Sequence, residues 1–167
     1  ESQQKYSISI PYTSVLNVEW SDDSNKALIK TQNASDGIAY YLLNFATQAQ
    51  SSQPISYLDS NSSDISFNPQ DSSQIFFIKN GSLYAAKNNK TSVVLRSVAT
   101  YKLSNGSIIW ISAKGIANKS DLSGKNTEPL AKGNLNYFNY ADYKLDVVSG
   151  RVFFTNPNSM LTYLPES

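Results

Sequence analysis

An apolar run, a short polar turn and a second apolar run recur four times along this chain, and that recurrence limits its folds more than any single residue does. The fullest copy is VLNVEWSDDSNKALIKT, Val15 to Thr31, in which a strand pattern ending at Trp20 meets the polar stretch Ser21 to Lys26 and resumes at Ala27. Asp22, Asp23, Ser24 and Asn25 suit a tight reversal, because their short side chains bond to nearby backbone and tolerate left-handed conformations. ISFNPQDSSQIFFIK (Ile65 to Lys79), TYKLSNGSIIWIS (Thr100 to Ser112) and YKLDVVSGRVFFT (Tyr143 to Thr155) repeat the grammar. Among their turns, Asn105-Gly106 is the strongest short-range hairpin signal. The second strands start at Ala27, Ile75, Ile108 and Val152, which are 48, 33 and 44 residues apart. Two of these steps match repeats of roughly 40 to 50 residues, each built as one small sheet. The middle step is short.

Strand patterns fill out each repeat. In the first, Ile38 to Phe45 is an aromatic and branched run and Ile55 to Leu58 a short fourth strand. The second adds Ser82 to Ala86 and Val93 to Leu95, with turns at Asn80-Gly81 and Asn88-Asn89-Lys90. The third has a polar strand, Ile116 to Leu122, and a segment near Glu128 to Ala131 that Pro129 confines to a sheet edge. The fourth offers Tyr143 to Val147, Val152 to Thr155 and Met160 to Leu164, one strand short of four. At the other end, Tyr6 to Ile10 alternates apolar and polar side chains and has no repeat of its own. No segment sustains a helical period, so the chain is expected to be all-β.

Composition removes several function classes. With no cysteine and no histidine, the chain lacks thiolates, the commonest zinc ligands, the commonest general base and every Ser-His or Cys-His pair. The 14 basic and 13 acidic residues leave a net charge of +1, and no basic run marks a phosphate-binding surface. Nucleic acid is not an expected partner. No apolar run approaches the roughly 20 residues of a membrane-spanning helix. Charged residues make up only 16% of the chain, so uncharged Ser, Asn and Gln must cover much of the surface, a composition commoner outside the cytoplasm.

The run VEWSDDSNKALI resembles the W-S-P-D-G-k-x-I motif of TolB-like, WD-repeat-like bacterial β-propellers, with Asp22 in place of the usual Pro and Ser24 in place of Gly. ISFNPQDSSQIFFI is similar to it and keeps Pro69. The family's next strand carries an "ly.ld..tg" pattern, matched by YYLLNFATQ (Tyr40 to Gln48) and SLYAAKNN (Ser82 to Asn89). The resemblance implies a single propeller domain over residues 1–167, of about four four-stranded antiparallel blades. These blades cover approximately 14–58, 64–96, 98–131 and 136–167, the last completed by 5–10. The N-terminal strand is expected to latch beside Met160 to Leu164, closing one chain as a monomer or joining two chains in a homodimer by blade completion. Trp20 and Phe67 should then be buried at equivalent places. The motif is a folding signature and carries no catalytic residue.

Candidate chemistry is sparse. Asp22-Asp23 and the group Asp59, Asn61 and Asp64 offer oxygen ligands, but neither follows the spacing of a calcium loop, and turn formation accounts for both. Nothing in the sequence pairs any two of the 13 acids across a cleft, as glycoside hydrolysis requires. The stretch Asn134 to Tyr143 mixes aromatics with Asn and Asp, as do surfaces that stack on sugars or grip peptides, which nominates Tyr137, Tyr140 and Tyr143 as ligand contacts. The competing reading wedges Tyr137, Phe138 and Tyr140 between blades. The expected function is a non-catalytic interaction scaffold for a protein partner in a bacterial envelope or extracellular protein, with no cofactor and no metal. The alternative is a carbohydrate-binding or glycoside-acting domain with its site at the channel mouth.

Overall fold

The computed structural model describes residues 14–32, 37–45, 52–130, 143–149, 151–157 and 159–163. The described residues form fifteen strands and no helix. Each sheet is antiparallel and follows sequence order, as expected when every reversal is a short turn. The chain divides into two compact units, 1–62 and 63–167.

The first unit holds one sheet, ordered β1 (Ser14–Trp20), β2 (Lys26–Gln32), β3 (Ile38–Asn44) and β4 (Ser52–Pro54). Val18 opposes Ile29, and Trp20 opposes Ala27, so these side chains share a face. Ala27, Ile29 and Leu43 form a small core there, with Phe45 packed against it. Tyr40, on β3, is buried, and its hydroxyl donates to the Ser62 carbonyl at 3.2 Å.

Two expectations fail in this unit. The fourth strand is the polar Ser52–Pro54; Ile55 and Leu58 are buried, but they sit in the connection that follows it. Apolar loop residues that pack inward imitate a strand in the sequence, whereas an edge strand with one solvated side needs no apolar pattern. Trp20 is not buried. It is 53% exposed and stacks on Phe45 at a centroid distance of 5.4 Å, while its counterpart Phe67 is 5% exposed.

The second unit holds three sheets. One contains β5 (Ser62–Asn68), β6 (Asp71–Lys79), β7 (Ser82–Lys87) and β8 (Lys90–Arg96). The next contains β9 (Val98–Ser104), β10 (Ser107–Ser112), β11 (Ala117–Asp121) and β12 (Glu128–Pro129). The last contains β13 (Lys144–Val148), β14 (Arg151–Asn156) and β15 (Ser159–Tyr163). Among the described residues this last sheet has three strands. The expected latch strand, Tyr6 to Ile10, lies outside the described residues. Pro129 falls on β12, at the edge beside β11, as its missing N–H requires.

These sheets stack face to face. Phe76, Ile78, Leu83 and Leu95 of one pack with Tyr101, Ile108 and Trp110 of the next. From the other side of that middle sheet, Ile109, Ile111 and Ala117 pack with Leu145, Val152 and Phe154. Alternation along β10 explains both contacts, since successive side chains point to opposite faces. The polar strand β11 is tolerated because its buried groups are bonded. Ser120 Oγ accepts from Trp110 Nε1 at 3.0 Å and meets Thr127 Oγ1 at 2.7 Å, and Asn118 Nδ2 donates to the Ile116 carbonyl at 2.8 Å.

Candidate binding surface

Strands in an antiparallel sheet alternate direction, so the first and third reversals of each sheet lie at one end. In the second unit that end carries Pro69-Gln70 and Asn88-Asn89 from one sheet, and Asn105-Gly106 and the loop Leu122 to Thr127 from the next. The two sets are in contact. A Cβ placed on Gly106 would stand 3.1 Å from Gln70 Nε2, and one on Gly124 would come within 2.2 Å of the Val94 carbonyl oxygen. Asn88 and Asn89 adopt φ of 51° and 60°, and Asn105 and Gly106 φ of 46° and 75°. Positive φ at both central residues is the two-residue reversal whose twist matches the flanking strands.

Short polar side chains cross-link these turns. The Asp71 carboxylate accepts from Ser73 N–H at 2.9 Å and from Lys87 Nζ at 2.7 Å. The Lys87 ammonium, together with the Ser73 hydroxyl and N–H, pulls the Asp71 pKa down to about 2. Asp121 Oδ1 accepts from the Ser123 hydroxyl and from the N–H groups of Ser123 and Lys125, and its Oδ2 accepts from Asn126 Nδ2 at 2.8 Å. Led by the Ser123 hydroxyl, these bonds hold the Asp121 carboxyl below its usual range. The result is a hydrogen-bonded polar end, with Asn88, Asn89, Lys90, Asn105 and Lys125 exposed on it and Asp71 and Asp121 half-buried among them.

Each of these aspartates stands two residues before the N–H that it receives, in Asp71-Ser72-Ser73 and Asp121-Leu122-Ser123. The first unit repeats this spacing. Asp23 Oδ1 accepts from Asn25 N–H at 3.1 Å, and Asp59 Oδ1 from Asn61 N–H at 2.9 Å. The spacing Asp-x-Ser/Asn is therefore a readable signal that locates the loops. It also accounts for the oxygen-rich groups at Asp22-Asp23 and around Asp59 without a bound ion. Among the described residues no group of three or more Asp or Glu is placed to hold a metal.

Of the three tyrosines nominated as ligand contacts, Tyr143 is described; Tyr137 and Tyr140 lie outside the described residues. Tyr143 is half-buried and packs against the core that joins the last two sheets. Among the described residues, no helix is long and apolar enough to cross a membrane.

No protein-family model and no curated protein matches this sequence. Solved structures do. The chain is similar to the computationally designed protein Ika4, at 11% identity and a TM-score of 0.55, over 98% of this chain and 99% of that one. It is similar to TolB from Acinetobacter baumannii, at 16% identity and a TM-score of 0.52, over 90% of this chain and 43% of TolB. It is also similar to a chain of the S. cerevisiae complex of Dbp5 bound to Nup159, Gle1, IP6 and ADP, at 12% identity and a TM-score of 0.52, over 92% of this chain and 44% of that one. The chain thus spans less than half the length of the TolB and Nup159-complex chains. With the stacked antiparallel sheets, these likenesses define an all-β, propeller-like fold of the kind TolB has.

Proposed function

We propose that this chain is a non-catalytic interaction scaffold that binds a protein partner through the turn-bearing end of its second unit, in a bacterial envelope or extracellular protein. The observation that carries the reading is the pinned loop end itself. Asp71 and Asp121 hydrogen-bond across adjacent reversals, and Asn, Lys and Gln side chains stand exposed beside them on stacked sheets. Loops fixed on a rigid scaffold are where binding residues concentrate, and little ordering entropy is lost when a partner docks on them. The likeness to the complex of Dbp5 with Nup159 and Gle1 supports a propeller engaged by other proteins. The likeness to a protein from a bacterium goes with the bacterial setting, and the low charged fraction with the extracytoplasmic one.

Photo-crosslinking residues placed at Asn89 or Asn105, with Asn80 at the opposite end as control, test the proposal in extract from the native source. The expected outcome is one discrete protein adduct from Asn89 and Asn105 and none from Asn80. Equal labelling from all three sites would refute it.

The second reading is a glycan site using Tyr137, Tyr140 and Tyr143, favoured by the concentration of aromatics with Asn between Asn134 and Tyr143. A glycan array separates the two. Binding abolished by Tyr143→Ala, in a variant whose melting is unchanged, would favour the sugar. Hydrolysis that depends on one particular Asp or Glu would overturn the non-catalytic reading.

A further inference from the structure

We propose that Asn105 is a self-modification site, where the side-chain amide is lost as ammonia and the residue becomes aspartate or isoaspartate without an enzyme. Asn-Gly occurs twice in the chain, at 80–81 and 105–106. Glycine has no Cβ to shield its backbone nitrogen, so in such a pair that nitrogen can reach the preceding side chain. The Gly106 nitrogen attacks Asn105 Cγ, the new C–N bond closes a succinimide ring, and Asn105 Nδ2 leaves as ammonia with the proton of the attacking N–H. Water then opens the ring at one of its two carbonyls. Opening at Cγ gives aspartate, whereas opening at the main-chain carbonyl routes the backbone through the side chain as isoaspartate, one methylene longer.

The fold separates two sites that are locally alike. Both read Asn-Gly-Ser, both asparagines are exposed, and both pairs are left-handed, with φ of 50° and 68° at 80–81 and of 46° and 75° at 105–106. Each fills a two-residue reversal, between Lys79 and Ser82 in one and between Ser104 and Ser107 in the other. Among the described residues neither asparagine amide and neither glycine N–H is hydrogen-bonded. For the nitrogen to swing over Cγ the turn must open locally, and the ease of opening depends on what else holds it. The Gly81 carbonyl accepts from Val98 N–H at 2.9 Å, which ties the first turn to the backbone of the next sheet. Beside Gly106 stands only the far end of a flexible side chain, the Gln70 amide, 3.1 Å from where a Cβ would lie. The turn at 105–106 therefore opens more readily. It belongs to the proposed binding end, so the aged surface differs from the nascent one, whereas the chemistry holds whether or not a partner docks there.

The test is to age the purified full chain at mildly alkaline pH and digest it with trypsin, which places the two sites in the separate peptides 80–87 and 103–114. Mass spectrometry follows the exchange of amide for acid in each peptide, and a methyltransferase specific for isoaspartate follows the lengthened product. In the folded chain the exchange should run roughly twofold to tenfold faster in 103–114, the ratio that one net hydrogen bond supplies. In urea the two rates should become equal, because the local sequence is shared. Equal rates in the folded chain, or a faster exchange at Asn80, would overturn the proposal. So would a ratio that persists in urea, or an Asn105 that stays intact in the folded chain for as long as the unfolded chain takes to convert.

Discussion

The first and second hairpins begin from nearly the same sequence pattern and end in opposite environments. In both, an aromatic stands at or next to the end of the first strand, a polar turn follows, and an apolar run returns: Trp20, Ser21 to Asn25 and Ala27 in one, Phe67, Pro69 to Gln70 and Ile75 in the other. Both turns are held by side chains. In the first, Ser21 Oγ accepts from Lys26 N–H at 3.0 Å and donates to Asp23 Oδ1 at 2.6 Å; in the second, Asn68 Oδ1 accepts from Gln70 N–H at 3.0 Å. Yet Phe67 is buried, as are Ile75, Phe76 and Phe77 behind it, while Trp20 lies open beside Phe45. Local sequence makes a hairpin, but only what stacks on its face makes a core residue of the aromatic.

The largest expected effect would break this comparison outright. Phe67→Ala should cost about 3 to 5 kcal/mol in urea unfolding, whereas Trp20→Ala, measured in dilute solution, should cost about 1 kcal/mol or less, since it loses mainly a partly solvated ring contact. Equal losses at the two sites would show that the hairpins are packed alike. A second contrast concerns glycines that share a left-handed φ but differ in surroundings. Gly124→Ala drives a methyl into the Val94 carbonyl and should cost roughly 2 to 3 kcal/mol, while Gly81→Ala meets open space and should lose only about 1 kcal/mol of conformational strain. Thermal melts of both variants check the difference. Ser120→Ala removes the acceptor of the Trp110 indole N–H inside the core and should cost about 1 to 3 kcal/mol, and Ser120→Thr, which keeps the hydroxyl, should restore part of it.

The smallest effect is a titration. The Asp71 carboxyl, at about 2, sits below its unfolded value of roughly 3.9. Its bond to Lys87 therefore contributes stability above about pH 4, and that contribution is lost as pH falls toward 2. Asp71 and Lys87 side chains are 35% and 52% exposed, so solvent screening holds the contribution to about 0.2 to 1 kcal/mol. Asp71→Asn should flatten the slope of stability against pH between 4 and 2 by that amount; an unchanged slope would remove the pair from the account of the loop end.

Most of the hairpin turns were legible because their chemistry is local. Asn80-Gly81 and Asn105-Gly106 fix positive φ whatever surrounds them. The strands of residues 63–129 were legible from alternation and branched or aromatic content, to within a few residues at their ends. The edge strand Ser52–Pro54 was not, since nothing in its composition distinguishes it from a loop. The loop end was half-legible: the Asp-x-Ser/Asn spacing is in the sequence, but the meeting of Gln70 with Gly106, and of Gly124 with Val94, joins residues 30 or more positions apart.

By itself the sequence determined an all-β chain of repeated hairpins without thiol or imidazole chemistry, because side-chain alternation, turn conformations and composition are properties of short stretches or of no arrangement at all. Only the tertiary structure decided which apolar faces are covered. It buried Phe67 and left Trp20 and Val148 exposed, it lodged Ser120 and Asn118 in the interior with every bond made, and it set the turns of two sheets side by side. Burial depends on which sheet lies against which. That choice is made by contacts between residues far apart in the chain, and a repeating local pattern is the same on both sides of it.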